Sequence, residues 1–109
     1  MLSAYAIAAM LIAAPASYAD AGLEKKLDVC LYPSNIAKAV MTRRQNGGSL
    51  SELMAKIPDL GMQPAIEDLA KKLAVAAYGV PVYSDEKLQQ AAITEFESQT
   101  YLSCAKGIN

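Results

Sequence analysis

Residues 64–79 read PAIEDLAKKLAVAAYG, and this pattern sets the fold class that we predict. The apolar residues recur every three or four positions, which is the spacing of one helix face: Ile66, Leu69, Leu73 and Ala77. Pro64 suits the first position of a helix, and Gly79 suits its end. Glu67 and Lys71 form a favourable i, i+4 pair on the opposite side. The stretch predicts an amphipathic helix.

Two helices are predicted before residue 48. The first has apolar positions at helical spacing: Leu23, Leu27, Cys30 and Leu31. Pro33 is expected to end this helix, and Ser34 is expected to cap the next one. The apolar face of the second helix comprises Ile36, Ala37, Val40 and Met41. Arg43 and Arg44 lie in its last turn, where cations suit the helix dipole, and Gly47 follows.

Two more helices have recognisable ends. Ser49 and Glu52 form the S-x-x-E capping box of a short helix that Pro58 is expected to end. Its apolar residues are Leu50, Leu53, Met54 and Ile57. Ser84 is expected to cap the last helix, which runs to about Lys106. The predicted apolar face of the last helix comprises Leu88, Ala92 and Phe96, with Ile93 and Cys104 at its edge.

The segment between the last two helices, Tyr78-Gly-Val-Pro-Val-Tyr83, is predicted to be a connector. Gly79 and Pro81 would interrupt any strand ladder there. We find no long alternating apolar run elsewhere. We therefore predict an all-α fold, a compact bundle of four or five short helices.

Two cysteines, Cys30 and Cys104, are expected to close this bundle. An even number of cysteines in an exported protein is typical of a disulfide, and two cysteines allow one pairing. A redox pair or a metal site is the alternative, but the chain has no C-x-x-C motif and no histidine. We predict a structural Cys30–Cys104 disulfide that closes a loop of about 75 residues.

Residues 1–19 read MLSAYAIAAMLIAAPASYA and have the pattern of a cleavable signal peptide. The apolar run from Ala4 to Ala14 is shorter than the roughly 20 residues that cross a bilayer. Ser17 and Ala19 form an A-x-A-like cleavage site, and an uncleaved anchor is the alternative. We predict that residues 20–109 form a single helical domain, periplasmic or secreted, which contacts a membrane only through the signal segment before cleavage.

Composition argues against several classes of function. The chain has 109 residues and a net charge of −1, so it lacks the basic face of a nucleic-acid binder. The absence of histidine removes the commonest general base and a common zinc ligand. Phosphate-cradling glycine motifs are missing, and Glu95 and Glu97 are expected to face different directions on a helix. We expect no catalytic site, no cofactor and no metal.

Two groups of residues are candidates for contact with a partner. The first lies in the connector: Tyr78, Val80, Pro81, Val82 and Tyr83. These residues form a semi-rigid apolar surface of the kind used in recognition, or they pack as a lid over the core. The second group is basic and comprises Lys38, Arg43 and Arg44; the guanidinium groups of the two arginines suit carboxylate or phosphate. The alternative for these arginines is a solvated helix end that complements the dipole.

Several of these features occur in a familiar order along the chain. They are Cys30, Met41-Thr-Arg-Arg-Gln45, the glycine turn, Leu50 to Met54, Ala77-Tyr78, Pro81, Tyr83, Ala92-Ile93-Thr-Glu-Phe96 and Cys104. This pattern resembles small exported two-cysteine helical proteins of proteobacterial and tailed-phage genomes. The resemblance implies a bacterial envelope setting and no particular activity. Small periplasmic acid-stress chaperones, also helical and closed by one disulfide, are an architectural analogy.

The function that we expect is a small exported protein-binding module that modulates or inhibits a protein of the bacterial envelope. Export, a small disulfide-closed scaffold and the lack of catalytic motifs favour this hypothesis. The alternative is a conditional periplasmic chaperone that opens under stress. Such a chaperone would expose the region of Met41, Met54 and Met62, since methionine suits adaptable binding surfaces.

Overall fold

A computed structural model describes residues 22–108, and helices dominate this part of the chain. The helices are α1 over residues 22–28, α2 (Leu31–Gln45), α3 (Leu50–Lys56), α4 (Pro64–Tyr78) and α5 (Glu86–Lys106). A 3₁₀-helix, Ile57–Leu60, follows α3 directly. Residues 22–108 contain no strand, so the predicted all-α fold is confirmed. The predicted signal peptide, residues 1–19, lies outside the described residues.

Several helix ends follow the predicted local signals. The hydroxyl of Ser49 accepts a hydrogen bond from the backbone N–H of Glu52, with an N···O distance of 3.3 Å. After α2, Gly47 has a φ of 83°, and the N–H groups of Gly47 and Gly48 bind the last carbonyl oxygens of the helix. These two bonds form a Schellman motif, in which glycine adopts the left-handed conformation without strain. Pro64 begins α4, as predicted.

The helix boundary predicted at Pro33 is wrong. The chain turns at residues 29–30, and α2 begins at Leu31, so Pro33 lies in its first turn. The first N–H groups of a helix have no acceptor within it, and a proline there removes no hydrogen bond. Ser34 is not a cap but is buried inside the helix, where its hydroxyl donates to the carbonyl oxygen of Leu31 at 2.9 Å. Leu23 and Leu31 are exposed, whereas Leu27 is half-buried and Cys30 is buried, so the apolar face predicted for the first helix is covered only in part.

The core is rich in alanine and lies between α2 and the elements that pack against it. Its buried residues are Val40, Met41, Ile57, Ala70, Ala74, Ala77 and Ile93. Three of them are alanines of α4, whereas Leu69 and Leu73, predicted for the buried face, are only half-buried. The distance between packed helices depends on the side chains at the contact, and alanines permit a close approach. The buried face of α4 is therefore rotated from the predicted one.

The predicted face and cap of α5 also need correction. Ile93, predicted at the edge, is the buried residue of α5, and Leu88, predicted on the apolar face, is exposed. Asp85 caps the helix in place of Ser84, and its carboxylate accepts a hydrogen bond from the N–H of Lys87 at 3.1 Å. A carboxylate at this position also interacts favourably with the helix dipole.

The predicted disulfide is confirmed. It joins Cys30, the N-cap of α2, to Cys104 in the last turns of α5, with a Cα–Cα distance of 5.6 Å. Cys30 is fully buried, as its predicted orientation toward the core requires. Because the start of α2 meets the end of α5, the bond ties together the two ends of the described fold.

Loss of the disulfide should lower the melting temperature by more than about 10 °C. A loop of this length is worth roughly 4 kcal/mol in the chain-entropy model, and about 1 kcal/mol moves the melting temperature of a small domain by roughly 4–8 °C. Thermal unfolding of the oxidised protein should be compared with that of the double variant Cys30→Ser/Cys104→Ser. A shift of only about one or two degrees would mean that the bond does not support the fold.

Candidate functional site

A groove runs along α5, because α4 and α5 both pack against α2 but hardly touch each other. Two depressions of about 440 Å³ and 460 Å³ follow one another along it and share Phe96 and Gln99. The α5 residues that line them recur at helical spacing: Leu88, Ala91, Ala92, Glu95, Phe96, Gln99, Thr100, Ser103 and Cys104. We call this surface the α5 groove. It extends from the connector between α4 and α5 to the disulfide.

Apolar side chains form most of the remaining lining. In the depression near the connector, they are Met41 of α2 and Val80 and Pro81 of the connector. In the depression near the disulfide, they are Leu69 and Leu73 of α4. Because α4 buries alanines, these two leucines lie beside the core and not within it. They are therefore available to line the groove.

Of the residues that the structure describes, one with a charged side chain, Glu95, lines the α5 groove. It is exposed, and its Oε1 accepts a hydrogen bond from Nε2 of Gln99 at 3.2 Å. Tyr83, Thr100 and Ser103 add neutral polar groups. The groove therefore combines an apolar lining with a single negative charge.

Gln45 fixes the connector to α2. Its side chain is buried, its Nε2 donates to the carbonyl oxygen of Pro81 at 2.8 Å, and its Oε1 accepts from the N–H of Tyr83 at 2.9 Å. One amide can serve both groups because it carries a donor and an acceptor. Gln89 of α5 donates to the carbonyl oxygen of Tyr83. Residues 79–83 are thus held without belonging to a helix or a strand, whereas Tyr78, predicted as the first connector residue, is the last residue of α4.

Arg44 and Tyr78 hold the same connector. Nε of Arg44 donates to the carbonyl oxygen of Val80 at 2.9 Å, and its guanidinium carbon lies 5.0 Å from the centre of the Tyr78 ring. The Tyr78 hydroxyl donates to the carbonyl oxygen of Gly48. Tyr78 and Val80 pack against the core, as the lid interpretation predicts.

Arg43 has a different environment from its neighbour Arg44. Its Nη2 lies 3.3 Å from Oε2 of Glu52 on α3, whereas Arg44 contacts the connector. Successive helix positions differ in direction by about 100°, so adjacent side chains face different elements. The two arginines therefore do not form a single anion-binding patch.

The connector residues proposed as partner contacts remain in part accessible. Pro81 and Val82 are exposed, whereas Val80 and Tyr83 are half-buried. Val80, Pro81 and Tyr83 line the end of the α5 groove. The α5 lining was not predicted as a site, because apolar residues at helical spacing indicate core packing.

Comparison of the chain with protein-family models, with characterised proteins and with solved structures found no significant match. The resemblance to small exported two-cysteine proteins therefore stays a prediction. In the part of the chain that the structure describes, no helix has the length and apolar character needed to span a bilayer. Over the same residues, no group of three or more cysteine and acidic side chains is placed to hold a metal ion.

Replacing Gln45 by Leu should destabilise the protein by about 1–3 kcal/mol, because two backbone groups of the connector would lose their partner. Urea unfolding measures this change, and hydrogen exchange at the Tyr83 amide should become faster. Gln90→Leu, an exposed glutamine of α5, is the matched control and should change stability by less than about 0.5 kcal/mol. Equal effects of the two variants would contradict the role given to Gln45.

Proposed function

We propose that this protein is a small exported module that binds a protein of the bacterial envelope and modulates or inhibits it through the α5 groove. The observation that carries the proposal is the lining of the groove, which no other described helix covers. An amphipathic helix of the partner would lie along α5, beside α4 at the disulfide end of the groove and beside the connector at the other end.

The length of the groove suits such a helix. From Leu88 to Cys104 the lining extends for about 24 Å, at a rise of ~1.5 Å per residue. A bound helix of about four turns would therefore fill it. Helix-in-groove recognition uses apolar anchors three or four positions apart, and each of the two depressions offers a place for such anchors.

Glu95 favours a partner helix with a basic residue beside its apolar face. The carboxylate is exposed on the groove wall, and it is the one charge there. Complementary charge at the edge of an interface contributes to orientation and association rate more than to affinity. The connector end of the groove adds the apolar surface of Val80, Pro81 and Tyr83.

Export is part of the proposal. Residues 1–19 would be a cleavable signal peptide, and the protein would act in the periplasm or outside the cell. The Cys30–Cys104 disulfide supports this location, since such bonds persist in oxidising compartments. We propose neither catalysis nor a cofactor, no nucleic-acid ligand, and membrane contact only through the signal segment.

A photo-crosslinking residue in place of Gln99 tests this surface, because Gln99 is exposed where the two depressions meet. In the envelope fraction of the cells that produce the protein, we expect one dominant, saturable partner, joined through an amphipathic helical peptide. The control carries the same crosslinker at Leu102, which is exposed on α5 and lines neither depression. The same products from both positions, or none from position 99, would contradict the proposal.

Leu88→Lys should weaken binding of that partner by about tenfold or more, because the charged group would lose water inside an apolar interface. Leu102→Lys is the matched control and should leave binding unchanged. Both leucines belong to α5 and both are 51% exposed, so the two substitutions carry similar risk for the fold. Calorimetric titration with the partner identified by crosslinking gives the affinity of each variant. Equal losses of affinity in the two variants would mean that the interface lies elsewhere.

Acid titration distinguishes this proposal from the conditional chaperone. Met41 is fully buried, so its exposure would require α2 to separate from its neighbours and would abolish the near-UV circular dichroism of the packed tyrosines. The acidic side chains of residues 22–108 are all exposed or half-buried. We therefore expect a native near-UV spectrum down to about pH 2. Loss of the spectrum together with capture of many unrelated proteins would favour the chaperone.

A further inference from the structure

A second cavity, of about 600 Å³, lies between α2, α3, the 3₁₀-helix and α4. It shares no lining residue with the α5 groove. Its volume is within the range of about 300–1,000 Å³ that is usual for small-molecule pockets. We call it the α2–α3 cavity.

The α2–α3 cavity has a polar end and an apolar end. Along α2, its lining begins with Asn46 and Arg43 near the end of the helix and continues with Val40, Ala39 and Ile36. The opposite apolar wall consists of Leu53, Ile57, Leu60 and Met62. This order of side chains matches a ligand that has a polar head and an apolar chain.

Met62 extends the apolar end. It also lines a neighbouring depression, together with the apolar and aromatic side chains of Val29, Tyr32 and Ile66 and the polar side chains of Asp28 and Gln63. Along α2, the distance from Arg43 to Tyr32 is about 16 Å at the usual helical rise. An extended hydrocarbon chain can therefore continue from the cavity into this depression.

Among residues 22–108, Arg43 is the one charged residue in the wall of the α2–α3 cavity. Of the described residues, it alone has a buried side-chain nitrogen or oxygen, its Nε, without a hydrogen-bond partner. Gly48 makes room for it, since a Cβ at position 48 would lie 2.7 Å from Cγ and 3.0 Å from Nε of Arg43. Nε is buried against Gly48, so an anion would bind the exposed part of the guanidinium group, which includes Nη2; hydrogen bonds from guanidinium to an anion are strong.

We propose that the α2–α3 cavity binds a single-chain carboxylate of the fatty-acid class. The carboxylate lies at Arg43, and the hydrocarbon chain follows α2 toward Met62. The planar fork of a guanidinium matches a carboxylate, and the rest of the cavity supplies apolar contacts. This inference does not depend on the α5 groove, because the two sites have no residue in common.

Glu52 competes with the ligand for Arg43. Its carboxylate lies 3.3 Å from Nη2 of Arg43, and its side chain is 72% exposed. Exposed ion pairs of this kind contribute little to stability, so Glu52 can move into solvent when the ligand carboxylate arrives. Removing the negative charge of Glu52 should therefore favour the ligand.

Calorimetric titration of the folded, oxidised protein with laurate tests this site, and 1-dodecanol is the uncharged ligand of equal chain length. We expect one saturable site that binds laurate more tightly than it binds 1-dodecanol. Arg43→Met removes the guanidinium group but retains an unbranched side chain of similar width. This variant should weaken laurate binding by about tenfold or more and should leave dodecanol binding unchanged. Gly48→Ala should act in the same direction by displacing Arg43, and Glu52→Gln should strengthen laurate binding.

Ala39→Trp should abolish the binding of both ligands, because the larger side chain fills the apolar part of the cavity. Near-UV circular dichroism establishes that each variant is folded. Absence of laurate binding, equal affinity for laurate and dodecanol, or unchanged laurate binding by Arg43→Met would overturn the proposal. Crosslinking from position 99 is independent of these results, so failure here is distinct from failure of the proposed function.

Discussion

Because α4 and α5 hardly touch each other, the packing of both against α2 holds the core together. Each end of α2 is also tied to α5. Cys30 joins the start of α2 covalently to Cys104, and Gln45 at its end binds the connector that leads into α5. The antiparallel pair of α2 and α5 is thus fixed at both ends. The disulfide and the Gln45 hydrogen bonds also fix the position of α5, which forms one wall of the α5 groove. Stability and the shape of the binding surface therefore depend on the same contacts between α2 and α5.

Local signals in the sequence predicted the ends of several helices, because a cap or a terminating glycine acts within one turn. Ser49, Pro64 and Gly47 behave as their immediate neighbours dictate. The buried faces could not be predicted in this way. Helical spacing identifies a broad apolar sector, and the direction of the neighbouring helix decides which part of that sector is covered. On α4, the close approach to α2 buries Ala70 and its alanine neighbours and leaves Leu73 beside them.

The candidate sites were predictable only in part for a related reason. The connector was found from its sequence because its glycine and proline exclude regular structure. The α5 groove comes from missing contact between two helices, which no local pattern records. Arg43 and Arg44 are equivalent in the sequence, yet one lies against Gly48 and Glu52 and the other against Val80. Their separate roles depend on the helix rotation that brings each to a different neighbour.

The core contains few large buried side chains, and this explains both the importance of the disulfide and the presence of apolar grooves. Met41, Ile57 and Cys30 are the largest fully buried side chains of the described residues, and the buried residues of α4 are all alanines. Small domains bury a limited fraction of their apolar surface, so a covalent tie contributes a large share of stability. Side chains such as Leu73 and Met62, which a larger core would cover, line grooves instead. A ligand that filled the α5 groove or the α2–α3 cavity and bound the folded state alone would cover this surface, and it would stabilise the fold by an amount that grows with the ratio of its free concentration to its Kd.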